Sequence, residues 1–140
     1  MIFWDASALV PLLVTENESA YCINALDQDR EVLIWSLTPV EIVSALSRRR
    51  REGVLHAEEY YKAKKRLQLL VDSAYQVTAV EKTKTRAIRL LEVHPLRAAD
   101  ACQLAAALVA SQEDPKRLAM LCFDQRLQDA ALREGFVVNP

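Results

Sequence analysis

Short apolar runs alternate along this chain with longer stretches of helical spacing. The runs are rich in β-branched and aromatic residues, which is typical of strands, and cover residues 2–4, 32–35, 75–80, 118–123 and 136–138. The intervening stretches repeat apolar side chains every three or four residues and predict helices from residue 6 into the 17–27 region, and over 39–52, 57–72, 82–93, 99–112 and 125–134. Because strands that alternate with helices form parallel crossovers, we expect a three-layer α/β/α arrangement around a mostly parallel sheet of four to five strands.

Glycine is scarce in this chain, and its two positions carry structural information. Gly53 and Gly135 both follow helical stretches, where a C-terminal cap is expected. The 39–72 segment contains no strand, so we expect a helical hairpin between the second and third strands, with Gly53 as its hinge. With only two glycines, the chain contains neither of the glycine-rich loops that bind phosphates.

Four acidic residues lie where an apolar run gives way to a helical stretch. They are Asp5, Glu41, Asp100 and Asp124. If the runs are parallel strands, all four carboxylates fall at the carboxyl edge of one sheet, where open α/β sheets bind their ligands. Carboxylates gathered without cations repel one another, and a hard divalent cation such as Mg²⁺ or Mn²⁺ is the natural compensation. The pattern therefore predicts a metal-dependent enzyme that acts on a phosphate-containing substrate.

Each of these acids also has an ordinary structural interpretation. Asp5 and Asp124 occupy N-cap positions, and Asp100 lies near the start of a helix, where the helix dipole favours an acid. Thr38 and Glu41 have the spacing of a capping box. The capping and metal-binding interpretations are compatible, because an N-cap carboxylate points out over the end of its strand.

For direct metal ligation we rank Asp5 and Asp100 first and Asp124 next, with Glu41 orienting water or completing the site. Four acids exceed what one Mg²⁺ needs, so some would bind through water or a second ion would join. A bound metal would lower the pKa of a water and so supply the nucleophile. Ser7 either holds a ligand carboxylate or a bound water by hydrogen bond, or is an ordinary first-turn helix residue.

Charge is unevenly distributed, although the formal net charge of the chain is only −1. The segment from Arg48 to Arg66 carries eight basic residues against three acidic ones. This basic segment is either a solvated face whose cations favour a helix C-terminus or a contact for the phosphates of the substrate. In the second case, the bases would steer phosphates toward an edge that is itself acidic.

Length and composition predict one cytoplasmic globular domain spanning residues 1–140. Half of the residues are apolar, a quarter are charged, and no apolar stretch reaches the ~18 residues needed to cross a bilayer. The start of the chain lacks the basic region of a signal peptide. Cys22, Cys102 and Cys122 lie far apart among apolar neighbours, which predicts buried, reduced thiols suited to a reducing compartment.

The aromatic and histidine residues favour structural roles. Trp4 and Trp35 lie inside strand runs, so we expect both in the core rather than on a base-stacking surface. His56 and His94 are alone in their neighbourhoods, and we expect both at the surface. No arrangement of residues suggests a Ser-His-Asp triad.

Four segments of the chain, each carrying one of the acids, have a known counterpart. Residues 2–9 read IFWDASAL, residues 38–46 read TPVEIVSAL, residues 96–107 read LRAADACQLAAA, and residues 123–127 read FDQRL. In this order they resemble elements of PIN-domain proteins, most closely the VapC-type toxins of bacterial and archaeal toxin–antitoxin pairs. The similarity covers nearly the whole chain. Cys102 and Gln103 depart from the residues usual after Asp-Ala in that family, and Trp4 is bulkier than usual before Asp5.

The resemblance implies a compact α/β/α sandwich and a Mg²⁺- or Mn²⁺-dependent ribonuclease built on the four acids. It also implies a homodimer, and a small antitoxin protein that wraps and inhibits the active site. Two alternatives stay open: a PIN-like nuclease that acts on DNA or in RNA processing without an antitoxin, and a catalytically silent PIN-like domain that binds proteins. The four intact acids argue against the silent domain.

Overall fold

The computed structural model describes every residue from Met1 to Pro140 and contains one five-stranded sheet. The strands are β1 (Ile2–Trp4), β2 (Val32–Trp35), β3 (Tyr75–Val77), β4 (Ala119–Leu121) and β5 (Val137–Asn139). Every neighbouring pair is parallel, and the spatial order is β3-β2-β1-β4-β5. The predicted α/β class with a mostly parallel sheet is confirmed, and β1 lies at its centre.

Seven α-helices connect the strands, and their bounds follow the spacing of apolar residues with small shifts. They are α1 (Ala6–Leu13), α2 (Ser19–Gln28), α3 (Thr38–Arg51), α4 (Ala57–Ser73), α5 (Val80–Val93), α6 (Ala98–Ala110) and α7 (Gln125–Arg133). The stretch after residue 6 forms two helices because Val14 is extended. The third strand is shorter than predicted, since Val80 already begins α5.

The helical hairpin predicted between the second and third strands is present. Helices α3 and α4 meet at Gly53, whose φ of 75° is the left-handed conformation that glycine adopts without steric cost. Beyond it, the amide nitrogens of Val54 and Leu55 donate to the carbonyl of Arg49, which satisfies the end of α3. Gly135 ends α7 in the same way, with a φ of 97°.

Two layers of helices bury opposite faces of the sheet. Helices α1 to α4 pack on the face that carries Trp4 and Ile34, and helices α5 to α7 pack on the face that carries Phe3 and Trp35. Alternate strand residues therefore point into different cores, as expected for a parallel sheet covered on both sides. Trp4 and Trp35 are both buried, so the prediction that they belong to the core is confirmed.

One expectation about the surface is wrong. His94 is 7 % exposed, because its Nε2 lies 2.6 Å from the Oε1 of Glu134 at the end of α7. His56 is exposed at the start of α4, as predicted. Cys22 and Cys122 are buried and Cys102 is partly buried, and all three are free thiols. No helix combines the length and apolar character needed to cross a membrane.

Candidate active site

An open groove of about 640 Å³ lies at the carboxyl edge of the sheet, and all four predicted acids line it. Asp5 directly follows β1, and Glu41 lies in the first turn of α3, just after β2. Asp100 lies in the first turn of α6, and Asp124 begins α7 after β4. Because β1 lies between β2 and β4, residues that are far apart in sequence meet at this edge.

Asp5 is the most buried of the four acids, at 4 % exposed. Its Oδ2 accepts hydrogen bonds from the backbone nitrogen of Ser7 at 3.0 Å and from the Ser7 Oγ at 2.5 Å. Burial raises the pKa of Asp5, and the bonds from Ser7 partly counteract that rise. Ser7 Oγ also accepts from the Phe123 nitrogen at 2.9 Å, so it joins α1 to the segment after β4. Ser7 is therefore both a first-turn residue and a holder of the Asp5 carboxylate.

Glu41 is half-buried, and the prediction of its capping box is wrong. Leu37 occupies the N-cap of α3 without a side-chain hydrogen bond, and Thr38 is already the first helical residue. Thr38 is fully buried, and its Oγ1 contacts Gln103 instead of the helix start. Burial, followed by repulsion from Asp5, raises the pKa of Glu41 to about 7. At neutral pH this carboxyl group is therefore poised between its two protonation states.

Asp100 and Asp124 complete the acidic lining of the groove. Burial and then repulsion from Asp124 and Asp5 raise the pKa of Asp100. Asp124 is exposed, and its Oδ1 accepts from the Leu127 nitrogen at 2.9 Å, an N-cap hydrogen bond. The predicted N-caps at Asp5 and Asp124 are both confirmed. Asp5 and Asp124 therefore cap their helices and line the groove at the same time.

None of the four acids forms an ion pair with a lysine, arginine or histidine. Their oxygen donors are those that hard divalent cations prefer. No group of three or more acidic, cysteine or histidine side chains is arranged to hold an ion directly. Mg²⁺ uses one or two carboxylates and keeps several waters, so this more open arrangement fits a cation bound partly through water.

Two buried residues were not predicted from the sequence to belong to this site. Gln103 has no exposed surface, and its Nε2 donates to the Glu41 Oε1 at 3.0 Å. Cys122 lies behind Asp5, with its Sγ 3.7 Å from the Asp5 Oδ2 and 3.3 Å from the Asp124 nitrogen. Gln103 does carry a sequence signal, because it is an amide one turn beyond Asp100 in an otherwise alanine- and leucine-rich helix.

The basic segment divides into residues with different surroundings. Arg48 and Arg49 line the groove beside the acids. Arg49 Nε is 2.7 Å from the Glu16 Oε1, whereas Arg48 is exposed and has no ion-pair partner. Arg50 lies over the rings of Tyr60 and Tyr61 and does not line the groove. Of these arginines, Arg48 alone lines the groove without an intramolecular charge partner.

The comparison with protein families identifies the fold. The model of the PIN domain matches residues 2–133. The chain belongs to the PIN-domain family. Two curated relatives of this PIN domain from Mycobacterium tuberculosis, Ribonuclease VapC45 and Ribonuclease VapC49, are each 31 % identical over 140 residues, which is 100 % of this chain and 95 % of the relative.

Solved structures resemble this PIN domain over most of its length. FitAcB from Neisseria gonorrhoeae superposes with a TM-score of 0.68 at 16 % identity and covers 100 % of this chain and 97 % of the solved chain. A toxin–antitoxin complex from Klebsiella pneumoniae gives a TM-score of 0.64 at 17 % identity, with 90 % and 88 % covered. At such low identities, these similarities support the fold alone.

Proposed function

We propose that this PIN domain is a metal-dependent endoribonuclease and the toxin of a toxin–antitoxin pair. The observation that carries the proposal is the meeting of four acids without ion-pair partners in one open groove at the carboxyl edge of the sheet. The names of the two relatives, both ribonucleases at 31 % identity, support RNA as the substrate. The resemblance to VapC-type toxins implies an antitoxin as partner, and one solved structure with a similar fold is a toxin–antitoxin complex.

In this proposal, Asp5, Asp100 and Asp124 would hold Mg²⁺ or Mn²⁺, some of them through bound water, and Glu41 would complete the site. A divalent cation bound there supplies charge compensation for the phosphate and lowers the pKa of an attacking water. Ser7 keeps the Asp5 carboxylate directed into the groove. Glu41 offers its Oε2 as the proton acceptor, because its Oε1 is occupied by the amide of Gln103.

The decisive test is cleavage of structured RNAs by the purified protein, with and without Mg²⁺ or Mn²⁺. The wild type should cleave only when the metal is present, and the variant carrying both Asp5→Asn and Asp100→Asn should be inactive under every condition. Cleavage at equal rates in EDTA would contradict the metal-dependent mechanism. Matched single-stranded DNA in the same assay separates a ribonuclease from a nuclease that acts on DNA.

Within the basic segment, we propose Arg48 as the contact for substrate phosphate. It follows Glu41 by seven residues, about two helical turns, so both residues lie on the same face of α3. Arg48→Ala should weaken RNA binding and reduce the slope of log affinity against log salt by about 1 between roughly 50 and 200 mM. Arg51→Ala is the matched control, because Arg51 is exposed on the same helix but does not line the groove. Equal effects of the two variants would contradict a specific role for Arg48.

We further propose that this PIN domain forms a homodimer and acts in the cytoplasm. A homodimer would have twice the 15.8 kDa mass of the chain, which sedimentation equilibrium measures directly. RNA as substrate and three free cysteines both suit a reducing cytoplasm. An antitoxin encoded by a short neighbouring reading frame should co-purify with this chain and suppress cleavage. A nuclease of RNA processing would lack such a neighbour.

A further inference from the structure

Gln103 is a polar side chain with no exposed surface, three residues after Asp100 on α6. The residues that follow it, from Leu104 to Leu108, are all apolar and buried. A buried amide costs free energy unless its donors and acceptor find partners. The partners of Gln103 therefore indicate what the amide does at this position.

Both N–H groups of the Gln103 amide have partners on α3. Its Nε2 lies 3.0 Å from the Glu41 Oε1 and 3.1 Å from the Thr38 Oγ1. Thr38 is fully buried and Glu41 is half-buried at the groove. The amide therefore links α6, one turn after Asp100, to the first turn of α3, which carries Glu41.

The neutral charge of the amide matters at this position. A lysine or arginine would pair with Glu41 and offset the negative charge that attracts a cation. A leucine would leave the Glu41 carboxylate without a donor and would leave the buried Thr38 hydroxyl without this partner. Glutamine orients the carboxylate without neutralising it, and it leaves the Glu41 Oε2 free.

We propose that Gln103 is a positioning residue that holds the Glu41 carboxylate in the groove and couples α3 to α6 one turn after Asp100. Its effect on metal binding and cleavage rests on the proposed function. The hydrogen bond itself is a property of the metal-free protein and can be tested separately.

The first experiment measures Mn²⁺ affinity by calorimetry and RNA cleavage for a double-mutant cycle. Gln103→Leu should lower Mn²⁺ affinity or the cleavage rate by roughly 10- to 100-fold, as is typical for residues that orient metal ligands. In the Glu41→Ala background, Gln103→Leu should cause no further loss, because its effect acts through that carboxylate. Additive losses, or no loss in the wild-type background, would overturn the proposal.

Thr38→Val separates positioning from the packing of α3 against α6. This variant removes the second partner of the amide but keeps the donor to Glu41. The expected result is a lower midpoint of thermal unfolding with Mn²⁺ affinity within about twofold of the wild type. A loss of affinity as large as that of Gln103→Leu would assign the effect to packing and overturn the proposal.

The second experiment observes the Gln103 side-chain amide by ¹⁵N–¹H NMR in the metal-free protein. A bond to a carboxylate should shift one amide proton downfield and slow its exchange with water, and Glu41→Ala should remove both effects. Unchanged amide signals in Glu41→Ala would overturn the inference even if the wild type is an active nuclease. A wild type that neither binds Mn²⁺ nor cleaves RNA would refute the proposed function. The NMR experiment would still show whether the Gln103 amide is bonded to Glu41.

Discussion

The groove that holds the four acids differs from a second cluster in whether its carboxylates have ion-pair partners. The second cluster consists of Arg86, His94, Glu113 and Glu134. In this His94–Glu134 cluster every acid has a basic neighbour. Glu134 contacts His94 Nε2 at 2.6 Å and Arg86 Nη2 at 3.5 Å, and Arg86 Nε lies 3.0 Å from Glu113. These contacts join α5, the C-terminal end of α7 and the turn that follows α6. The cluster is a structural support on the α5–α7 side of the sheet.

The groove contains acids of the same kind without such neighbours. Burial raises the pKa values of Asp5, Glu41 and Asp100, and repulsion from neighbouring acids adds to the rise at Glu41 and Asp100. A raised pKa means that the ionised acid is less favourable in the folded protein than in water. The comparison indicates that paired acids serve folding here, whereas acids kept unpaired at an electrostatic cost mark the site that we propose as functional.

The largest predicted effect is the loss of activity when groove acids become amides. Asp5→Asn or Asp100→Asn should each reduce RNA cleavage by about 100- to 1000-fold or more. The thermal midpoint should stay equal or rise, because the neutral amide removes repulsion from neighbouring acids. Asp129→Asn, which changes an exposed acid on α7, is the matched control and should retain full activity. Full activity of Asp100→Asn would contradict the conclusion that the groove acids serve cleavage and the paired acids serve stability.

The opposite pattern is expected in the His94–Glu134 cluster. Glu134→Ala should lower the free energy of unfolding by about 1–3 kcal/mol, because buried His94 loses its partner at Nε2 and its Nδ1 already has none. Cleavage per folded molecule should be unchanged. Urea denaturation gives the stability, and the RNA assay below the unfolding transition gives the activity. If Glu134→Ala had normal stability but reduced cleavage, the structural role assigned to this cluster would be wrong.

The pKa of Glu41 predicts how the groove responds to pH. Its folded-state pKa of about 7 exceeds the ordinary glutamate value of 4.5, so the folded metal-free protein binds more protons between these values than the unfolded chain does. The contribution of Glu41 to stability is therefore full below about pH 4.5 and decreases as the pH rises through about 7. Activity should instead fall as the pH decreases, because a protonated Glu41 cannot accept a proton from the attacking water. Glu41→Gln should flatten the stability profile over this window.

The smallest effect is expected at the exposed rim of the His94–Glu134 cluster. Glu113 is 53 % exposed, and solvent screens its pair with Arg86. Glu113→Gln should cost no more than about 1 kcal/mol, and less at high salt. Comparison of this variant with Glu134→Ala by urea denaturation shows how much burial strengthens a contact in the cluster. Equal losses of unfolding free energy in the two variants would show that burial has no such effect.

The parts of the fold that depend on neighbouring residues were predicted well. The bounds of β1 and β2 match the apolar runs, because charged residues such as Asp5 and Glu31 flank them. The N-caps at Asp5 and Asp124 were also predicted, since an N-cap bond joins residues only two or three positions apart.

The errors at Thr38, His94 and Gln103 involve partners that are distant in sequence. The capping box at Thr38 failed because its hydroxyl contacts Gln103, 65 positions away. His94 was expected at the surface, but Glu134, 40 positions later, holds it in a buried contact. Gln103 and its link to Glu41 were missed for the same reason.

The amino-acid sequence alone determined the order of strands and helices and set each of the four acids near the start of a helix. These are local properties, since periodicity and capping depend on residues within a few positions of one another. Tertiary structure decided that β1 lies between β2 and β4, which brings Asp5 among the other acids. It also decided which carboxylates find cations and which stay unpaired, because desolvation and ion pairing depend on residues that only the folded chain brings together.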